Sequence, residues 1–178
     1  MNSGSSKETA RQTDWERWVL AHAPGLLLFA RQQSRCEADA QDLVQEAVVE
    51  AWQRQADGAV PALPLVFATI RRRAADWGRR QDRRAAREAA VQAEAPECWF
   101  DASIEEQERC QLIEGAMRKL QSDYREVVTL KIWGGLTFAG IAEALHISAN
   151  TAASRYRYGL EGLRRALGDR TLAESLQG

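Results

Sequence analysis

Apolar residues recur every three to four positions along most of this chain, and no stretch alternates with the period of a strand. The pattern predicts an all-α protein. Residues 15–31 carry a helical apolar pattern that Pro24-Gly25 interrupts, which predicts a kink or a split there. Residues 37–54 form a second helix with a clean seam of Ala40, Leu43, Val44, Ala47, Val48 and Ala51. A loop follows over 58–64. A third helix runs from Leu65 to about Arg87, with Phe67, Ile70, Ala74 and Trp77 on its buried face. Residues 104–120 read as another helix. Ser122 then caps a short one that extends to Trp133, and Gly134-Gly135 ends it. Residues 88–103, broken at Ala95-Pro96, read as a linker. The fold expected is therefore two small helical domains, 14–87 and 104–170, joined by that linker. Residues 1–13 are polar and lack periodicity, so they read as a frayed tail, as do 171–178.

The C-terminal block is the most specific. Residues 136–145 are a short helix, Leu145-His146-Ile147 a tight turn, and Ser148 the cap of a second helix. Two short helices joined this way are a helix-turn-helix, the geometry that presents one helix to a DNA major groove. His146 stands where such turns require a left-handed backbone, which histidine tolerates better than most residues. Ala152, Tyr156, Leu160, Leu163 and Leu167 are expected to form the buried stripe of the second helix. Asn150, Ser154, Arg157 and Tyr158 are expected to face outward, small and polar where base edges are met and cationic where phosphates lie.

Composition changes this picture little. The 178 residues allow one domain or two small ones. No apolar run reaches membrane length, and no signal peptide opens the chain. These features exclude a membrane-inserted protein and lead to a cytoplasmic reading. Cys36, Cys98 and Cys110 lack metal-ligand spacing and read as reduced thiols. No nucleophile–base pair, metal cluster or phosphate loop is visible, so no catalytic residue, metal, cofactor or small-molecule substrate is expected.

Charge changes it a great deal. The formal net charge is only −1, but its distribution is uneven. Asp39, Asp42, Glu46 and Glu50 fall within about 80° of arc on the second helix, given 3.6 residues per turn. Like charges at i,i+4 weaken an isolated helix, so the stripe reads either as a solvated face or as a docking face for a basic protein, with Gln45 at its edge. The next helix inverts the sign. Arg71, Arg72, Arg73, Arg79, Arg80, Arg83, Arg84 and Arg87 stand against Asp76 and Asp82. Arginine, rather than lysine, suits forked phosphate contacts and stacking on bases. Trp77 either continues the buried stripe or captures an unstacked base.

These segments together resemble the bacterial sigma-70 family in its compact extracytoplasmic-function (ECF) type. Asp39-Ala-Gln-Asp-Leu-Val-Gln-Glu46 with Ala51-Trp52 is similar to that family's region 2.2, which binds the clamp helices of core RNA polymerase. The segment from Phe67 to Arg80 is similar to regions 2.3 and 2.4, which open and read the −10 promoter element. The segment from Leu120 to Leu167 is similar to region 4, which reads the −35 element. The resemblance implies polymerase contacts at Asp39, Asp42, Gln45, Glu46 and Glu50. It implies −10 contacts at Arg72, Arg73, Trp77, Arg79, Arg80 and Arg83. It implies −35 contacts at Asn150, Thr151, Ser154, Arg155, Arg157 and Tyr158. It also allows an anti-sigma factor as partner. Departures are Ala153, where the family often has Lys or Arg, Gly140 in place of a helix former, His146 in place of the turn glycine, and Gln121 in place of a proline.

The 16-residue linker, 88–103, could extend to about 55 Å at ~3.4 Å per residue, more than one DNA turn of ~34 Å. Two separated promoter elements are then within reach of one chain. Two other classes stay open on the residues alone. One is a DNA-binding regulator whose N-terminal helices dimerise or sense a ligand. The other is an enzyme, for which the sequence offers no constellation.

Overall fold

The structure is a computed structural model. It describes the backbone of residues 3–54, 59–85, 99–100 and 106–175, and the side chains of 14–54, 59–79, 99–100 and 106–168. The described residues are all-helical. In chain order they form α1 (Ser3–Arg31), α2 (Glu37–Gln53), α3 (Leu63–Ala85), α4 (Gln107–Arg118), α5 (Ser122–Ile132), α6 (Phe138–Leu145) and α7 (Ala149–Ser175). The chain divides into two compact units, residues 1–96 and 97–178.

The first unit packs α1, α2 and α3 against one another. Leu26, Leu28 and Phe29 of α1 meet Ala40, Leu43 and Ala47 of α2 and Val66, Phe67 and Ile70 of α3, all buried. Phe29 and Phe67 make an edge-on pair at 5.4 Å. The alanine seam lets α2 lie close to its neighbours. α1 is not split at Pro24 but runs through it. The proline removes one backbone bond, and the buried Gly25-Leu26 packing immediately after it holds the helix together. Residues 3–13 belong to the same helix; they lack an apolar stripe, but extending an existing helix needs far less than nucleating one. α3 begins at Leu63, and Pro64 sits in its first turn, where a proline is tolerated.

Arg31 and Glu37 join the end of α1 to the start of α2. Arg31 is buried and donates from Nε and NH2 to both carboxylate oxygens of Glu37, at 2.8 and 2.9 Å. The hydrogen bond from Arg31 holds the Glu37 carboxyl below its ordinary value against the opposing effect of burial, with further help from Gln41. Cys36 caps α2, its Sγ accepting from the Asp39 N–H at 3.4 Å. Cys36 and Cys110 are free thiols, and Cys98 lies outside the described residues.

The second unit is built on α7, which packs against α5, α6 and α4. Met117, Val127, Val128, Leu130, Ile141, Leu145 and Ala152 form its core. The expected stripe on α7 is corrected here. Ala152 is buried and Leu163 half-buried, but Leu160 and Leu167 are exposed. The seam runs instead through Gly159 and Gly162. A Cβ at Gly159 would fall 2.6 Å from Val128 Cγ2, and one at Gly162 would fall 2.6 Å from Leu120 Cδ2. The missing side chain at Gly159 lets α7 approach α5 closely, and that at Gly162 makes room for Leu120, which precedes α5. No helix among the described residues is long and apolar enough to cross a membrane.

Candidate polymerase and nucleic-acid interfaces

The turn between α6 and α7 has the geometry its sequence implies. Thr137 caps α6 by accepting from the Gly140 N–H at 3.1 Å. His146 takes the left-handed conformation, φ 56° and ψ 48°. The Ile147 N–H then closes back on the Ala142 carbonyl at 3.0 Å. Ser148 Oγ accepts from the Thr151 N–H at 3.0 Å and meets the Thr151 hydroxyl at 2.8 Å. Cap, left-handed turn and cap together join α6 to α7 without a glycine in the turn.

The outward face of α7 contains Asn150, Ser154, Arg157 and Tyr158, all exposed. Asn150 and Ser154 lie one turn apart near the N-terminus. Arg157 donates to the Tyr158 hydroxyl at 3.2 Å and stands 4.9 Å from its ring centroid. Tyr158 also approaches Tyr124 of α5 at 6.2 Å. The other two candidates are turned inward. Thr151 is half-buried in the Ser148 cap. Arg155 pairs with Asp123 of α5 at 2.5 Å.

In the first unit the two charged stripes face each other. Arg73 donates to Glu50 Oε2 from both Nε and NH2, at 2.9 and 2.7 Å, and also binds Glu46. Arg72 donates to Glu50 Oε1 at 2.7 Å, and Arg54 reaches the same oxygen at 2.7 Å. The Glu50 side chain is only 15% exposed. Burial alone would raise its carboxyl. The Arg73 hydrogen bonds and the charges of Arg72, Arg54 and Arg73 outweigh that and hold it below the ordinary range. The sequence showed both stripes, but not that they meet.

The outward face of α2 consequently differs from its acidic stripe. Ala38, Gln41, Asp42, Gln45, Val49, Trp52 and Gln53 are exposed. This arc is centred about 80° around the helix from the carboxylates, at 100° per residue. Asp42 and Gln45 belong to it. Asp39, Glu46 and Glu50 are half-buried. Val49 and Trp52, the latter 57% exposed, are apolar members that the charge pattern did not single out. On α3, Arg72 and Arg79 are exposed and Arg73 is half-buried. Arg79 pairs with Asp76. The side chains of Arg80 and Arg83 lie outside the described residues. Trp77 is half-buried and lines a small cavity of about 40 Å³ with Asp39, Leu43, Ala74 and Gly78.

Residues 18–84 match the sigma-70 region 2 family, and residues 110–161 match the sigma-70 region 4 family. The ECF RNA polymerase sigma factor SigL of Mycobacterium tuberculosis is 30% identical over 154 residues, covering 82% of this chain and 84% of that one. The chain belongs to the ECF type of the sigma-70 family. It is a sigma factor, a regulatory factor of transcription initiation. SigK of Mycobacterium ulcerans is similar at 30% identity over 71% of each chain. The RNA polymerase sigma-E factor of Streptomyces avermitilis is 29% identical over 89% of this chain and 88% of that one. The sigma factor RpoE of Bartonella quintana, solved in complex with the anti-sigma factor NepR, shares the fold at a TM-score of 0.66 and 22% identity. That likeness covers 87% of this chain and 97% of RpoE. Membership in this family sets aside the reading as a dimerising or ligand-sensing regulator. Among the described residues of this sigma factor, no cluster of His, Cys, Asp and Glu could hold a metal ion.

Proposed function

We propose that this sigma factor divides promoter recognition between its two units. The first docks on the clamp helices of core RNA polymerase through the outward face of α2, with Asp42 and Gln45 on it and Asp39 at its edge, while Glu46 holds Arg73. Glu50 contributes by holding Arg72 and Arg73 in place. Arg72, Arg73 and Arg79, with Arg80 and Arg83, meet the −10 element and its melted strand. Trp77 supports that surface from beneath. The second unit reads the −35 element through Asn150, Ser154, Arg157 and Tyr158, while Thr151 and Arg155 brace the reading helix. The protein acts in the cytoplasm, contributes no catalytic group and leaves RNA synthesis to the polymerase. An anti-sigma factor is a further partner, by likeness to the RpoE assembly.

The observation that carries this reading is the α6–α7 turn, which exposes a small polar N-terminal face backed by cations. Asn150 can pair with an adenine edge, and losing a bidentate base contact costs about 1–3 kcal/mol against the preferred base. Asn150→Ala should therefore relax selectivity at one upstream position. Arg157→Ala should weaken binding evenly across sequences, as expected of a phosphate contact. Ala153→Lys should strengthen upstream binding. Holoenzyme binding to a library randomised in the upstream element distinguishes these outcomes. Unchanged preference and affinity in all three variants would mean that another surface reads the DNA.

A further inference from the structure

Residues 122–158, from the start of α5 to the end of the reading face, hold four lysines and arginines, and only Arg157 is exposed. Arg125 is half-buried, 5.6 Å from the ring centroid of the buried Trp99. Lys131 donates from Nζ to the Leu136 carbonyl at 3.0 Å and stands 5.2 Å from the Phe138 ring centroid. Arg155 pairs with Asp123 at 2.5 Å, its side chain 25% exposed and that of Asp123 48% exposed. Arg155 follows Ser154 by one residue, so it leaves α7 about 100° around the helix from it. Its stem thus flanks the reading face, while its charge is turned to α5. Asp123 stands in the first turn of α5, where the free N–H groups of the helix end favour a carboxylate.

We infer that Asp123 withholds Arg155 from the DNA backbone and so keeps the sequence-independent hold of the second unit on DNA weak. The inference deepens the promoter-reading function proposed above and rests on it. Phosphate contacts strengthen binding to every sequence alike, whereas base contacts discriminate. With Arg155 paired, Arg157 is the exposed cation beside Asn150 and Ser154, and Ala153 adds no charge. Retention of this unit on DNA then depends on the bases it reads. Asp123 is a positioning residue, since it acts only through Arg155. An ion pair this exposed contributes little to folding. Removing the carboxylate therefore frees Arg155 in a folded unit, and the freed guanidinium can turn from α5 to a phosphate beside the reading helix.

The test is the salt dependence of DNA binding by holoenzyme assembled from core polymerase and the full-length chain. Two duplexes are compared from about 50 to 200 mM salt, a promoter recovered from the randomised library and the same promoter with its upstream element scrambled. Asp123→Asn should bind both duplexes more tightly than wild type at low salt. Its salt slope should be steeper by roughly 0.9 log units, the value of one added phosphate contact, so its affinity should fall about threefold more over that range. Adding Arg155→Gln to Asp123→Asn should cancel the gain on both duplexes. A slope that Asp123→Asn leaves unchanged overturns the inference, and so does a gain that survives Arg155→Gln, which would belong to the lost carboxylate alone. A slope flattened by Arg155→Gln in the otherwise wild-type chain would place Arg155 on a phosphate already and overturn it as well. Wild type that binds the two duplexes equally would instead overturn the upstream reading proposed above, and the inference with it.

Discussion

The α2–α3 face of the first unit and the α7 face of the second carry comparable numbers of candidate polar contacts, but the two faces are differently committed. On α7, Asn150 and Ser154 point into solvent, and Arg157 lies against the tyrosine beside it. On α2 and α3, Glu46 and Glu50 are already engaged by Arg72 and Arg73. A stripe of charge on one helix does not specify its partner. The nearest opposite charge in the fold engages Glu46 and Glu50 first, and Asp42, turned away from that neighbour, is left for another molecule. On the reading helix of the second unit Arg155 is likewise held by Asp123, whereas Asn150, Ser154 and Arg157 stay exposed.

This contrast is broken most directly by removing one arginine from each face. Arg73→Ala should lower the unfolding free energy of the first unit by about 1.5–3 kcal/mol, because it strips hydrogen bonds from a largely buried carboxylate. Arg157→Ala should change the stability of the second unit by less than about 0.5 kcal/mol, as is usual for surface substitutions. Urea titrations followed by hydrogen exchange, which resolves the units, check both values. Equal losses would mean that the two faces are equally committed.

A smaller effect separates two glycines on α7. Gly159→Ala places a methyl against the stiff Val128 side chain and should cost about 1–2 kcal/mol after its helix propensity is counted. Gly168→Ala meets open space and should gain up to about 1 kcal/mol. Thermal melts of the two variants should move in opposite directions. If both stabilise, the close α5–α7 approach does not hold.

Acid should act on the first unit through its ion pairs. Glu37 and Glu50 titrate below the ordinary glutamate value of 4.5 in the folded chain. A depressed carboxyl contributes stability that is fully present above its unfolded value and disappears as the pH falls through its folded one. Stability of the first unit should therefore decline as the pH drops below about 4.5. Glu37→Gln and Glu50→Gln should each flatten that decline. A pH series of melts in which the variants keep the wild-type slope would contradict the pairing.

What could be read from the sequence was local. The helix-turn-helix was legible because Ser148, His146 and Ala152 report their own cap, turn and packing within one short segment. The α2 seam was legible for the same reason, since its small apolar residues repeat on one helix. The pairing of Glu50 with Arg72 and Arg73 was not legible, because it depends on how α2 and α3 face each other. The roles of Gly159 and Gly162 were not legible because glycine counts against a helix, although their i,i+3 spacing is compatible with a close contact. The burial of Trp99 was not legible, because its surroundings in the sequence are polar and proline-broken. In α1 the absence of an apolar stripe concealed a helix that simply continues from a packed one.

Polymerase docking through the outward arc of α2, and not through its ion-paired carboxylates, is the central claim. Affinity for core RNA polymerase, measured side by side for Asp42→Arg and Glu50→Gln under conditions where both are folded, tests it most directly. Asp42→Arg should weaken binding at least tenfold, about 1.4 kcal/mol, while its melting temperature stays near that of wild type. Glu50→Gln should melt earlier yet bind within about threefold of wild type, a difference under 0.7 kcal/mol. Undiminished binding by Asp42→Arg, together with a large loss in Glu50→Gln, would place the docking surface on the ion-paired side of α2 and contradict the account.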